Sequence, residues 1–312
     1  MDNRYPQELF ERYDKTNQNI ERITRPSIKY WADVRRRLKE NKLAMFGLYV
    51  IVILSILSII APYFNSFSYS DQNLDMTNNP PSSTYWFGTD QLGRDLFTRV
   101  FIGARYSLLI GILAALVDLV MGIIYGGIAG MASGRVDSIM MRLAEIIYAI
   151  PYMLIVIILS VALGQEQGSS LFTLILAMSI TGWVPMAIMV RGQVLQLKEN
   201  EYVLASKTMG ASNAYILKRH IIPNTMGPIL VRMTITIPGA IFSEATLSFL
   251  GLGLQPPVPS LGSLANDGLA VMNVGLMYQL LIPSFLITLI MFSFNVLGDG
   301  LRDAFDPKMK EM

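Results

Sequence analysis

The sequence has no cysteine and a single histidine, His220. The missing cysteines exclude disulfide bonds, thiolate metal ligands and cysteine nucleophiles, and one histidine excludes any site that needs two imidazoles. The 312 residues also contain neither a Gly-x4-Gly-Lys-Ser/Thr phosphate loop nor a His-Glu-x-x-His zinc motif. We therefore predict a chain with no catalytic residue, no metal site and no bound cofactor, so any ATP-driven step needs another polypeptide.

Charged residues are also scarce, at 15% of the chain, whereas hydrophobic residues make up 52% and the mean hydropathy is +0.44. A soluble domain carries about 25% charged residues. The apolar residues are gathered in stretches of about 20, the length that crosses ~30 Å of hydrocarbon as a helix. The sequence predicts an all-α polytopic membrane protein with six transmembrane helices, at residues 43–61, 106–130, 139–163, 171–190, 226–250 and 274–296.

Lysine and arginine lie mainly on one side of these six spans: 11 of the 25 precede the first span, and most others follow the second, fourth and sixth. Because lysine and arginine mark the cytoplasmic side, we expect both termini in the cytoplasm. The first residues are polar and charged, which predicts no cleavable signal peptide. The expected organisation is a cytoplasmic tail at 1–29, an interfacial helix at 30–42, the first span at 43–61, an external loop at 62–105, a transmembrane core at 106–300 with a cytoplasmic coupling loop at 191–224, and a cytoplasmic tail at 301–312.

The segment before the first span has the pattern of an amphipathic helix. Trp31, Val34 and Leu38 share one helical face, next to a run of arginine and lysine at residues 35–39. This pattern favours a helix in the membrane surface with its basic face toward anionic head groups. A solvated charge run before a span is the alternative.

The cytoplasmic loop after the fourth span predicts two short helices separated by Gly210. Ser212 is a suitable N-cap for the second helix, and Pro223 is expected to end it. A helical hairpin between two spans, with small residues at its bend, is suited to docking onto another protein. His220 is expected at the cytoplasmic end of this helix, in a surface or partner-contact role.

The order of residues in this loop resembles the "EAA" loop of ABC importer permeases, in which a coupling helix sits in a groove of the cytoplasmic ATPase. The matching residues are Ala205-Ser206, then Gly210, then His-Ile-Ile-Pro223. Leu204 stands in place of the motif's glutamate and Ser206 in place of its second alanine. The resemblance implies an ATPase-coupling role for Glu201, Leu204, Ala205, Ser206, Gly210, Ala211, Ser212 and Pro223.

Three further segments resemble the C-type permease subunit of dipeptide and oligopeptide importers. They are FGTDQLGRDLFTR at 87–99 followed by GARYSL at 103–108, FLGLGLQPPVPS at 249–260, and LGDGLRDAFDP at 297–307. The resemblance runs from about residue 30 to the end, and its external signature comprises Gly88, Asp90, Gly93, Arg94 and Asp95. From the residues alone, this polar, turn-rich loop suits contact with a soluble partner or forms an ordinary solvated cap, and we expect Arg94 to pair with Asp95.

Three ionisable residues fall inside the predicted spans: Asp118, Arg232 and Glu244. Such groups are costly in lipid, so they either line a water-filled pathway or pair with a neighbouring helix. Arg232 and Glu244 are about 18 Å apart along a continuous helix and cannot pair with each other. Pro238, followed by glycine, predicts a break or kink between them.

Two other patterns concern helix packing. Gly122, Gly126 and Gly130 fall four residues apart, which lets two helix backbones approach closely in lipid. Glu145 lies near the cytoplasmic end of the third span, where we expect a structural salt bridge.

The resemblance implies a type I ABC importer permease fold and a non-catalytic subunit that forms half of a pathway for peptides, oligopeptides being favoured over dipeptides. The implied partners are a second homologous permease, two cytoplasmic ATPases that use ATP and Mg, and an extracytoplasmic substrate-binding protein, in a bacterial cell membrane and without nucleic acid. Related subunits also serve nickel, metal chelates and glutathione, so these substrates stay open. From the residues alone, the alternatives are a membrane scaffold and a proton-coupled transporter or channel with a relay of Asp118, Glu145 and Glu244.

Overall fold

The computed structural model describes residues 30–132, 134–163 and 170–305. Across these ranges the chain is almost entirely helical, and no β-strand is formed. The helices in chain order are α1 (Tyr30–Glu40), α2 (Lys42–Ile60), α3 (Leu96–Met131), α4 (Gly134–Tyr148), α5 (Tyr152–Ala162), α6 (Leu171–Leu197), α7 (Glu201–Thr208), α8 (Asn213–Ile216), α9 (Ile222–Phe249), α10 (Leu261–Ala270) and α11 (Tyr278–Phe305). One π-turn, Leu217–Ile221, joins α8 to α9.

Five helical runs are long and apolar enough to cross a membrane: α2, α3, α6, α9 with the turns that precede it, and α11. The helices α4 and α5 meet the same requirement only as a pair, with a 74° bend between them. Counted as one bent span, the pair brings the total to six in the described part of the chain. The predicted all-α polytopic fold is confirmed.

The ends of several helices differ from the predicted boundaries. Helix α3 begins at Leu96 because the Asp95 side chain accepts a hydrogen bond from the Thr98 backbone N–H at 2.8 Å and caps the helix. Residues 96–105, which the sequence placed in the external loop, are therefore helical. At the other end of the chain, α11 continues to Phe305 and includes the first residues of the expected tail.

The third predicted span is bent where Pro151 separates α4 from α5. Proline has no backbone N–H and cannot continue the hydrogen-bond ladder, so the chain changes direction there. Hydropathy alone describes this segment as one straight span. Near the bend, Glu145 pairs with Arg142 at 3.0 Å between exposed side chains, as an ordinary surface ion pair.

The centre of the molecule is formed by α3 against α6. A Cβ atom at Gly122 would collide with the side chain of Met186, and one at Gly126 would collide with the backbone of Ala187. A Cβ atom at Gly130 would collide with the side chain of Val194. The packing role predicted for the three glycines is confirmed, because any side chain there would force the two helices apart.

Helix α1 packs against the end of α11. The rings of Tyr30 and Trp31 lie 6.4 and 5.9 Å from the ring of Phe305, and Val34 is buried. A hydrogen bond from the Arg36 guanidinium lowers the pKa of the Asp33 carboxyl. The amphipathic helix expected at 30–42 is thus present as Tyr30–Glu40, and its place in the membrane surface stays a prediction.

The prediction about Pro223 was wrong, and so was the break predicted at Pro238, whereas a kink at Pro238 stays a prediction. Pro223 does not end a short second helix, because helical structure continues from Asn213 through the π-turn to Phe249. The proline ring normally clashes with the carbonyl four residues earlier, and here that carbonyl lies in the widened π-turn. Pro238 does not break α9, which holds it buried inside the helix; a transmembrane helix packed on its neighbours tolerates this.

Candidate functional site

Residues 201–220, called the hairpin below, comprise α7, a tight turn, α8 and most of the π-turn. One side of the hairpin is attached to the protein core. Val203 and Ser206 are buried, and Val203 packs in the same apolar cluster as Ile216 and Ile221. The Ser206 hydroxyl donates to the backbone carbonyl of Tyr202 at 2.9 Å.

The bend of the hairpin is formed by Gly210, whose φ is +87°. A side chain is strained in this left-handed region, which glycine adopts freely. The Ala211 N–H donates to the Ser206 carbonyl at 3.1 Å, and the Ser212 hydroxyl accepts from the Tyr215 N–H at 3.3 Å. The Gly210 bend and the Ser212 cap are therefore where the sequence placed them.

The other side of the hairpin is exposed and carries four large apolar or aromatic side chains among charged and polar residues. Met209 is 81% exposed, and the side chains of Tyr202, Leu204 and Tyr215 are also exposed. Ala205 and Glu201 lie on this exposed side as well, whereas Ser206 faces the core. An apolar patch of this kind usually marks a contact with another protein. The sequence prediction included Leu204 and Ala205 but missed Met209 and the two tyrosines.

His220 does not lie at a helix end, as the sequence suggested, but inside the π-turn. Its Nε2 atom is 3.4 Å from the Ser206 hydroxyl, and its ring contacts those of Tyr202 and Tyr215. The histidine thus links α7 to the start of the long α9 run.

A cavity of about 320 Å³ lies between the spans. Asp118 of α3 and Arg232 of α9 line it, together with residues of α4, α5 and α6. Asp118 is only 4% exposed and its Oδ1 atom has no hydrogen-bond partner, as is also true of the Nε atom of Arg232. For these two residues, the geometry favours the pathway interpretation over pairing between helices.

Glu244 lies outside this cavity lining. Its fully buried carboxyl accepts hydrogen bonds from Ser107 of α3 at 2.7 Å and from Ser248 at 2.6 Å, so it joins α3 to α9. Pro238 is buried on the same helix. Because Glu145 is also outside the lining, the three carboxylates of the proposed proton relay do not meet in this cavity.

The segment before α3, which the sequence predicts to be external, is organised around Asp90. Its carboxylate binds the guanidinium of Arg94 at 2.7 Å and that of Arg99 at 3.3 Å. The expected Arg94–Asp95 pair was wrong: Asp95 is used as the cap of α3 and accepts from Asn65 at 2.8 Å. An aspartate directly before a long apolar run is an N-cap signal that could have identified this role.

Gly88 and Gly93 give this segment its turns. Their φ angles are +77° and +69°, and a Cβ at Gly93 would collide with the backbone of Asn73. The same segment contacts the far end of the chain, since Gln279 of α11 donates to the Thr89 carbonyl at 3.0 Å. Internal contacts therefore hold the signature residues in place, and contact of this segment with a soluble partner stays a prediction.

Comparison with known proteins gives these features a common context. The sequence profile of the family described as "Binding-protein-dependent transport system inner membrane component" matches residues 107–311, about two thirds of the chain. The chain belongs to this family. A second profile, described as the N-terminal TM domain of oligopeptide transport permease C, matches residues 29–81 of this permease.

Two curated relatives of the permease come from Bacillus subtilis (strain 168). It is 51% identical over 308 residues to the dipeptide transport system permease protein DppC, covering 99% of this chain and 95% of that protein. It is 50% identical over 306 residues to the oligopeptide transport system permease protein OppC, covering 98% and 99%. The predicted resemblance is confirmed, and the permease is a non-catalytic, multi-pass membrane component of an ABC transporter.

Among solved structures, the permease resembles a chain of the MetNI methionine ABC transporter in an inward-facing conformation. The match has 19% sequence identity and a TM-score of 0.51, and it covers 64% of this chain and 94% of the other. At this identity the likeness supports the fold alone. It agrees with the predicted ABC importer permease fold, and the family implies ATPase, substrate-binding and second permease partners.

Proposed function

We propose that this permease forms half of the translocation pathway of a peptide importer. It pairs with a second, homologous permease, and the pair binds two cytoplasmic ATPases that use ATP and Mg and one extracytoplasmic substrate-binding protein. The relatives named for dipeptide and oligopeptide transport support a peptide substrate over nickel, metal chelates or glutathione. The match of residues 29–81 to an oligopeptide permease domain favours oligopeptides.

The hairpin is the observation that carries this proposal. It presents exposed apolar residues at a bend. Its other face packs in the same apolar cluster as residues of α9. When the ATPases close on nucleotide, they move the hairpin, and the continuous helix from Asn213 to Phe249 passes the movement to the cavity. This is a switch between two packed arrangements with different contacts in each.

The same proposal fixes the orientation in the bacterial cell membrane. The hairpin faces the cytoplasm, as do both termini, and the segment organised by Asp90 faces outward. The concentration of lysine and arginine around the hairpin and in the first 42 residues supports this orientation.

The test of the docking surface replaces one exposed apolar residue with aspartate. In the assembled transporter we expect Leu204→Asp or Met209→Asp to weaken ATPase binding about tenfold or more, because an unpaired charge would enter an apolar contact. The measurement is the amount of ATPase that co-purifies with the tagged permease, together with peptide uptake into proteoliposomes. Leu74→Asp is the matched control for ATPase co-purification, since Leu74 is 69% exposed in the segment proposed to face outward.

Wild-type co-purification and uptake in both hairpin variants would refute the docking role. The substrate class has its own test, which is to purify the assembly with its binding protein and identify the bound ligand by mass spectrometry. A peptide is expected. A chelated metal ion would overturn the peptide assignment and leave the architecture unchanged.

A further inference from the structure

The cavity between the spans is lined by an acidic and a basic side chain, each with a buried atom that has no hydrogen-bond partner within the described residues. These are Oδ1 of Asp118 and Nε of Arg232, and both residues line the cavity. Bringing two such groups into a membrane interior and leaving a buried atom of each without a partner is costly. The cost is understandable if the cavity takes a ligand that carries both a cationic and an anionic group.

The acidic side of the cavity is a buried carboxyl with one oxygen atom that has no hydrogen-bond partner. The surrounding protein leaves Asp118 only 4% exposed, and its Oδ1 atom accepts no hydrogen bond. Gly182 of α6 faces this carboxyl, and a Cβ at Gly182 would lie 2.5 Å from Oδ2 and 2.8 Å from Oδ1. Glycine at this position therefore keeps the space that the Asp118 side chain occupies.

The basic side is on α9. The Nε atom of Arg232 is buried without a partner, and Thr236 and Ser243 extend the polar lining along the same helix. Gly239, between them, faces open space, because nothing lies within 4 Å of a Cβ placed there. The cavity therefore combines a carboxyl, a guanidinium and hydroxyl groups with room for a ligand, and its volume of about 320 Å³ is at the small end of the range for binding sites.

We propose that this cavity is a binding site for the free termini of a transported peptide, with the α-amino group on Asp118 and the α-carboxylate on Arg232. The two groups complement the pair of charges at the ends of an unmodified peptide, so the site accepts a peptide short enough for the cavity whatever its side chains. The inference rests on the proposed function, since it assumes a peptide substrate. It adds a recognition site for the substrate within the membrane.

A cysteine reporter tests the site, and the natural absence of cysteine makes the label specific within this chain. Ser243→Cys places a thiol in the cavity lining, and Thr246→Cys places one on the same helix outside the lining. In the assembled transporter, maleimide labelling of each variant is measured on the permease band with and without trialanine. N-acetyl-trialanine and trialanine amide are the matched probes, because each lacks one terminal charge.

We expect trialanine to slow maleimide labelling of the Ser243→Cys variant severalfold. The two blocked peptides should slow this labelling less. None of the three peptides should change the labelling of the Thr246→Cys variant. Adding Asp118→Asn should remove the difference between trialanine and its N-acetyl form, and adding Arg232→Gln should remove the difference between trialanine and its amide. Each single substitution should lower trialanine uptake about tenfold while the ATPases still co-purify.

Equal protection by blocked and unblocked peptides would overturn the proposal, and so would unprotected labelling during active trialanine uptake. A Ser243→Cys variant that resists labelling without any peptide would also overturn it, because the second permease would then cover the cavity. These outcomes leave the proposed function intact. A wild-type assembly that takes up no peptide would instead refute the proposed function, and this inference with it.

Discussion

Replacing Gly210 isolates the contribution of the hairpin's turn to the proposed ATPase docking. Its φ of +87° is costly for any residue with a side chain, but no heavy atom lies within 4 Å of the position that a Cβ atom would take. Gly210→Ala therefore introduces no collision within the permease, and its cost of about 1–2 kcal/mol is purely conformational. In the Gly210→Ala variant we expect the free hairpin, which is exposed at this point, to relax to a negative φ, so that the cost is incurred on docking.

An energy of about 1–2 kcal/mol corresponds to about a 5- to 30-fold change in an equilibrium constant. We expect Gly210→Ala to raise the Kd for the purified ATPases by this factor. Gly210→Asn should raise it less, because asparagine enters the left-handed region more readily, and Gly210→Val should raise it most. The assay is a titration of ATPase against the detergent-solubilised permease pair, followed by fluorescence anisotropy.

The order of the three variants decides between two explanations. Wild-type affinity for all three would refute the argument that docking needs this turn. If Asn weakens binding as much as Val, the loss follows side-chain volume, and the ATPase surface rather than the backbone is responsible. Only the order Asn, Ala, Val in rising Kd agrees with a conformational cost.

Three stability predictions can be checked from the melting temperature of the solubilised permease pair. Gly126→Ala should cost about 1–3 kcal/mol, since its Cβ collides with the backbone of α6, whereas Gly192→Ala, with nothing within 4 Å, should gain up to about 1 kcal/mol. Asp90→Ala should cost about 3–5 kcal/mol because two buried guanidinium groups lose their carboxylate. Glu244→Ala should cost about 1–3 kcal/mol for each serine hydroxyl left without an acceptor, while Glu244→Gln should retain most of the stability.

Each of these predictions has an outcome that contradicts it. Melting temperatures that move in the same direction for the two glycine variants would show that the contact of α3 with α6 does not depend on the missing side chain. An unchanged melting temperature for Asp90→Ala would mean that water or another group replaces the carboxylate. Equal losses for the Ala and Gln variants of Glu244 would indicate that its charge, and not its hydrogen bonding, stabilises the helix pair.

The spans were predictable because lipid imposes one rule on every segment that crosses it. A stretch of about 20 apolar residues must form a helix, so the number and order of the spans follow from hydropathy. No comparable rule predicts from the sequence where a span bends. Pro151 lies where the chain bends, whereas Pro238 lies inside the uninterrupted helix α9, although both are prolines in apolar sequence. The difference depends on how neighbouring helices pack around each proline.

Within the candidate site, local signals were interpreted correctly and distant ones were not. The Gly210 bend and the Ser212 cap depend on a few neighbouring residues, and both are present. The burial of Ser206 against His220 depends on how α7 packs, which the motif does not contain. Asp118 and Arg232 are far apart in sequence, and only the packing of α3 against α9 brings them to one cavity.

The π-turn between α8 and α9 has a consequence for the angle at which the hairpin points. A π-turn holds one residue more than an α-helical turn, and one residue corresponds to a rotation of about 100° around the helix axis. Without the extra residue at Leu217–Ile221, Tyr215 would project from a different side of the helix relative to Arg232. A single inserted residue therefore sets the angle, measured around the helix axis, between the exposed side of the hairpin and the cavity wall that includes Arg232.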